Sequence, residues 1–303
     1  MTKVFLFVVS FFLFHNVQCQ ALDTTIEHND AKIHFKTVGE GRPILLLAGG
    51  PGLSFDYLVP VAQGLAKSFR CILVDERGTG KSAVQTYDTT TITVSLTIED
   101  LEYLRNYLGY KDWFVLGSSV GGYVASSYAC AYPKSVSALV LVGSAGFNSS
   151  LWAYYGANIW CRLLPSDQQL SESWSDSAVV AKDPRHAGME YLKAILPAFF
   201  YDRLNCVRWM PYMKDEWYNL DVANLISHDM AKDDITEKSR AYKNPVLVLQ
   251  GRQDQVGESM PYIISQTYPN SKLVFINKCG HLPWLEQPKI FYDAVETFLS
   301  EKK

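Results

Sequence analysis

Six short segments of this chain are apolar at every position rather than at every second one: Ile44 to Ala48, Cys71 to Val74, Trp113 to Leu116, Ala138 to Val142, Val246 to Leu249 and Leu273 to Ile276. They are too short for helices, and a strand with apolar side chains on both faces must be covered on both. That requirement points to a mostly parallel sheet between helices, because the crossovers joining parallel strands lay helices over the sheet. The sequence between the runs supplies them. Thr97-Ile98-Glu99-Asp100 reads as a helix cap with an acidic first turn, and Leu101, Leu104 and Leu108 follow at helical spacing. Gly122 to Ala131 and Ile290 to Leu299 read as further helices. The fold class is α/β.

The alternation runs from about residue 25 to 145 and resumes near 241. Between them lie Trp152, Trp160, Trp174, Trp209 and Trp217, many Tyr and Met, and frequent polar breaks, with no run of the strand kind. Residues 20–145 and 241–303 therefore form one core, and 146–240 an inserted, mainly helical lid. Residues 1–19 stand apart: Lys3, then Val4 to Phe14 broken only by Ser10, then polar His15, Asn16 and Gln18. This is the layout of a secretory signal peptide, and its apolar stretch falls short of the roughly 20 residues that span a bilayer. Val17 and Cys19 at the −3 and −1 positions predict cleavage before Gln20, giving an exported chain, secreted or periplasmic, with no stable membrane span. The alternatives are an uncleaved anchor and lipid attachment at Cys19, against which Gln18 argues. Export exposes Cys71, Cys130, Cys161, Cys206 and Cys279 to oxidation, and Cys161 with Cys206 is the candidate pair.

Composition closes off other classes. At 48% hydrophobic and 19% charged, the chain is neither disordered nor fibrous. Its 28 Lys+Arg against 31 Asp+Glu, with no dense basic run, give it no means of neutralising several phosphates, so no nucleic-acid partner is expected. Gly78-Thr79-Gly80-Lys81-Ser82 resembles the end of a phosphate loop, but the first glycine such a loop requires is Asp75. His28, His34, His186 and His228 show no H-x-x-E-H or similar metal spacing, and no C-x-x-C is present. No cofactor or metal is expected.

The chemistry is concentrated just past the strands. Gly117-Ser118-Ser119-Val120-Gly121 lies between the run ending at Leu116 and the helix from Gly122, where a G-x-S-x-G forms a sharp elbow that lifts the serine above the sheet. A serine hydroxyl is a poor nucleophile until a base, itself oriented by a third group, takes its proton. Asp254 follows the run Val246 to Leu249, and His281 follows Leu273 to Ile276. Each residue alone has an ordinary structural reading: Asp254 as a cap for the segment from Val256, His281 as a loop histidine. Together, in the order Ser, Asp, His, they match the nucleophile-elbow hydrolases.

On these residues the chain resembles the α/β-hydrolase superfamily, and within it the proline iminopeptidase group. Gly49-Gly50-Pro51-Gly52 resembles the family's oxyanion loop, Asp75 to Ser82 its D-x-R-G-x-G-x-S turn, and Gly280-His281 with Pro283, Glu286 and Pro288 its histidine segment. The likeness implies Ser119 as nucleophile, His281 as base and then acid, Asp254 as the group orienting the imidazole, and the N–H groups of Gly50 and Val120 as oxyanion donors, with Gly49 if the loop register differs. Ala48 stands where the family usually has His, and Val120 where the iminopeptidases commonly have Trp. Iminopeptidases also hold a substrate ammonium with lid carboxylates, for which Glu190, Asp202, Asp215, Glu216, Asp221 and Asp229 are the candidates here. The resemblance implies a serine hydrolase of a small ester or amide, led by iminopeptidase-like removal of an N-terminal residue. A carboxylesterase or carbon–carbon bond hydrolase shares the machinery, and a non-catalytic ligand-binding relative is the reading from another class. The expected partner is a small molecule or short peptide; oligomeric state is left open.

Overall fold

The computed structural model describes residues 21–301, so the expected signal segment and its cleavage point lie outside the described residues. Nine strands, β1 (Asp23–His28), β2 (Ala31–Val38), β3 (Arg42–Leu47), β4 (Phe69–Val74), β5 (Ala83–Val84), β6 (Trp113–Ser118), β7 (Val136–Val142), β8 (Val246–Gly251) and β9 (Ser271–Ile276), form one sheet. Its order is β1-β2-β4-β3-β6-β7-β8-β9, with β5 paired to β2. From β4 to β9 every neighbour is parallel, and β1, β2 and β5 close one edge antiparallel.

The uniform apolarity of the central strands now has its explanation in two cores. Successive residues of a strand face opposite sides. Leu45, Leu47, Ile72, Val74 and Val115 enter one core, with helices α2 (Val94–Tyr107) and α3 (Val120–Ala131). Ile44, Leu46, Cys71, Leu73, Phe114 and Leu116 enter the other, covered by α1 (Val59–Leu65) and, near the carboxyl end, Phe291, Val295, Phe298 and Leu299. Every residue of β4, β6 and β8 is buried.

Helix α2 starts a turn earlier than the sequence reading placed it. Its cap is Thr93, whose hydroxyl accepts from Leu96 N at 3.1 Å, while Thr97 is inside the helix and donates its own hydroxyl to Thr93 O at 2.9 Å. Two threonines four apart compete for the role, and the first takes it because Asp229 Oδ2 fixes Val94 N at 2.9 Å.

Between β7 and β8 the described residues form α4 (Trp152–Trp160), α5 (Pro165–Ser175), α6 (Ser177–Val180), α7 (Pro184–Ile195), α8 (Arg203–Trp209), α9 (Leu220–Met230) and α10 (Thr236–Ala241), with 3-10 turns. After β8 come α11 (Ser259–Thr267), α12 (Pro283–Glu286) and α13 (Pro288–Ser300). No helix among the described residues is long and apolar enough to cross a membrane. The expected Cys161–Cys206 pair does not form. All five cysteines of the described residues are free: Cys206 is buried against the second core, whereas Cys161 is exposed after α4, donating to Asn158 O at 3.4 Å.

Candidate active site

The chain leaves β3 to make β4 on one side and returns to make β6 on the other, so the connections part between β3 and β6. At such a switch point the carboxyl ends of the strands open a crevice. Gly49 and Gly50 follow β3 at this crevice, and Ser119 follows β6.

Ser119 joins β6 to α3 at φ +54°, the left-handed region that a residue with a side chain adopts only under constraint. The constraint is visible. Ser119 N donates to Val142 O at 2.9 Å, and its carbonyl accepts from Gly122 N at 2.9 Å and Ala145 N at 3.0 Å. The positive φ of the elbow falls on Ser119 and on neither Gly117 nor Gly121. The glycines are required by proximity instead. A Cβ on Gly117 would stand 2.6 Å from the Gly121 carbonyl carbon, and one on Gly121 would stand 2.5 Å from Leu47 O. Helix α3 can start against the end of β3 only without those side chains.

The loop after β3 lies against the nucleophile: a Cβ on Gly49 would come 2.8 Å from Ser119 Cβ. Gly49 N donates to the Tyr57 hydroxyl at 2.6 Å and is thereby committed. Burial pushes that phenol up to about 12, so it stays neutral. Of the loop glycines considered as donors this leaves Gly50, at φ +114°. Val120 is the first residue of α3, whose N–H has no intrahelical acceptor and carries the helix's positive end. Beneath the loop, Asp75 ties the D-x-R-G turn together: Oδ1 accepts from Phe55 N at 3.0 Å, and Oδ2 accepts from Lys81 N at 2.9 Å and lies 2.8 Å from His34 Nδ1. Arg77 grips Asp100 with two hydrogen bonds of 2.9 Å. The motif's polar residues thus brace the loop from below.

His281 and Asp254 meet as expected. His281 Nδ1 lies 2.8 Å from Asp254 Oδ2, and both side chains are almost fully buried. Asp254 also makes the capping bond, Oδ1 accepting from Val256 N at 2.8 Å, so its two readings coexist. His281 N donates to Phe199 O at 2.7 Å, and the Phe199 ring meets the imidazole edge-on at 5.4 Å. Glu286 holds the histidine segment to the lid's base: Oε2 accepts from Gly280 N at 2.6 Å and Oε1 from Asp202 N at 2.9 Å. Gly143 allows the pair its place, since a Cβ there would come 2.8 Å from Asp254 Oδ2 and from His281 Nδ1.

Ser119, His281 and Gly50 open onto one cavity of about 310 Å³, within the size range of small-molecule sites. Its walls are largely lid residues, among them Ile159, Leu192, Ile195, Trp209 and Trp217. None of the six lid carboxylates lines it. Glu190 pairs with Lys193 at 2.7 Å, Asp215 with His186 at 2.8 Å and Glu216 with Lys214 at 3.7 Å; Asp202 caps α8 through Leu204 N, Asp229 accepts from Val94 N, and Asp221 is exposed. Folding does bring donor atoms of His186, Glu190 and Asp215 within 4.8 Å of one another, an i to i+4 pair on α7 joined by a distant residue, at the half-exposed surface. Tyr57, Phe199 and Gly143 went unread in the sequence, and no local spacing marks them, because each acts through a partner far along the chain.

The family described as having an alpha/beta hydrolase fold matches residues 42–288. A proline iminopeptidase of Heyndrickxia coagulans is 25% identical, over 88% of this chain and 93% of its own. One from Saccharolobus solfataricus is 26% identical, over 88% and 87%. The solved esterase of Exiguobacterium antarcticum superposes with a TM-score of 0.71 at 19% identity, covering 92% of this chain and all of that one. With the fold, the strand-to-helix serine and the family match in agreement, the chain belongs to the α/β-hydrolase family.

Proposed function

We propose that this hydrolase cleaves a small ester or amide through an acyl-enzyme formed on Ser119. The observation that carries the reading is the 2.8 Å contact of His281 Nδ1 with Asp254 Oδ2, beside a serine held at φ +54° on the same cavity. With Nδ1–H donated to Asp254, Nε2 of His281 is free to take the Ser119 proton as Oγ adds to the substrate carbonyl carbon. The oxyanion that forms accepts from the N–H groups of Gly50 and Val120, donors fixed in place before the charge develops. Collapse breaks the bond to the leaving alcohol or amine, which takes the proton back from His281. Water, deprotonated by the same imidazole, then releases the acid and restores Ser119.

Removal of an N-terminal residue is the second reading, favoured by near full-length likeness to proline iminopeptidases. The carboxylate-free cavity favours the ester reading. The test is the intact mass after treatment with a fluorophosphonate: one adduct on the wild type and none on Ser119→Ala is expected, and an unlabelled wild type would overturn the assignment. We further propose that the chain is exported and begins at Gln20 once processed. N-terminal sequencing of exported material checks this, and an intact Met1 would overturn it.

A further inference from the structure

We infer that the acyl group taken by this site is uncharged and largely apolar, and that Asn224 and Ser227, rather than a counter-ion, read its one polar feature. The inference rests on the acyl-enzyme reading above and deepens it. The residues lining the cavity include no Asp, Glu, Lys or Arg; besides Ser119 and His281 its polar side chains are four tyrosines, Asn224 and Ser227. The tyrosines cannot act as counter-ions: Tyr57 and Tyr218 are each pushed up to about 12, chiefly by burial, and burial also raises Tyr155 and Tyr191. Tyr57 is in addition occupied by Gly49 N.

Asn224 and Ser227 are one turn apart on α9 and share its cavity-facing side. Neither side chain has a hydrogen-bond partner among the described residues. An amide and a hydroxyl can each donate and accept, so together they match a neutral carbonyl, ether or hydroxyl. Asn224 is exposed at the cavity's rim and Ser227 half-buried, but an ammonium carried past them to the buried Ser119 and His281 would lose its water and meet no carboxylate, and a charge moved into such surroundings unpaired is strongly disfavoured. The indole faces of Trp209 and Trp217 give a cation some attraction, but less than that loss.

Ethyl cyclopentanecarboxylate and ethyl prolinate test this directly, since they share a ring and differ in a methylene against a charged NH₂⁺. At pH 6.5, where the amine is protonated, kcat/KM is expected to favour the cyclopentane ester by about a hundredfold. Asn224→Asp, close to isosteric, is expected to raise kcat/KM for ethyl prolinate by about tenfold, mainly through KM, and to lower it for the neutral ester. Equal or better use of ethyl prolinate by the wild type overturns the inference. So does indifference of both esters to Asn224→Asp. Fluorophosphonate labelling separates the two levels: no adduct means the acyl-enzyme reading has failed, whereas an adduct with a prolyl preference, or with turnover of neither ester, defeats this inference alone.

Discussion

Replacing Gly121 by alanine probes how closely α3 must approach β3. The new Cβ would sit 2.5 Å from Leu47 O and nearer still to Ala48 O, where real Cβ contacts essentially never fall below 3.0 Å. Those oxygens belong to the backbone at the end of β3, a strand buried between β4 and β6, and cannot rotate aside. The helix start must therefore retreat by at least the larger shortfall, from 2.3 to 3.0 Å at Ala48 O, carrying Ser119 and the Val120 N–H with it. Gly50 and His281 follow other strands and stay. Since a misplacement of about 1 Å can cost a hundredfold in rate, this retreat is expected to slow acylation by about ten- to thirtyfold. Overpacking costs about 1–3 kcal/mol, and the helix-propensity gain of alanine over glycine returns about 1. The net loss of up to about 2 kcal/mol lowers Tm by as much as roughly 4–8 °C for a domain of this size. Calorimetry and the second-order rate constant of fluorophosphonate labelling read the two effects. Gly156→Ala, whose Cβ would meet nothing within 4 Å, serves as the control for Tm alone, since Gly156 also lines the cavity, and is expected to be neutral or slightly stabilising. If Gly121→Ala matched the wild type in both Tm and labelling rate, the close-approach reasoning would be wrong.

Asp254→Asn keeps the shape of the pair but offers an N–H to His281 Nδ1, moving the imidazole proton to Nε2; labelling is expected to slow by about 10⁴, and a loss under tenfold would remove Asp254 from the machinery. Glu286→Ala strips acceptors from Gly280 N and Asp202 N, so a stability loss of about 2–3 kcal/mol and slower labelling are expected from urea titration and inhibitor kinetics; unchanged values would mean the histidine segment stands without it. Burial, then the neighbouring Asp75, pushes the Glu76 carboxyl up to about 8, so the folded protein holds a proton that the unfolded chain releases near its ordinary 4.5. This contribution to stability is full below pH 4.5 and is lost as pH rises through about 8. Relative to Glu76→Gln, the wild type is therefore expected to lose ground between pH 5 and pH 9 in urea midpoints, and a constant gap would refute the shift.

Much of this protein follows from local pattern. Runs apolar at every position, such as Ile44 to Ala48, demand cover on both faces, and in a chain of this length that determines a parallel sheet between helices. The order Ser119, Asp254, His281 follows from where those strands end, because a side chain just past a parallel strand's carboxyl end has only one edge of the sheet to occupy. The tertiary structure decided what depends on distance across the chain. Tyr57 commits the Gly49 N–H and leaves Gly50, Thr93 displaces Thr97 as the cap with the help of the bond Val94 N donates to Asp229, and the cysteines of the lid stay unpaired because Cys206 faces a core that Cys161 does not reach. Above all, the lid's carboxylates were readable as residues but not as wall: whether Glu190 or Asp229 meets a substrate or a lysine and a helix end is set by how α7 and α9 pack, and packing directions leave no trace in spacing.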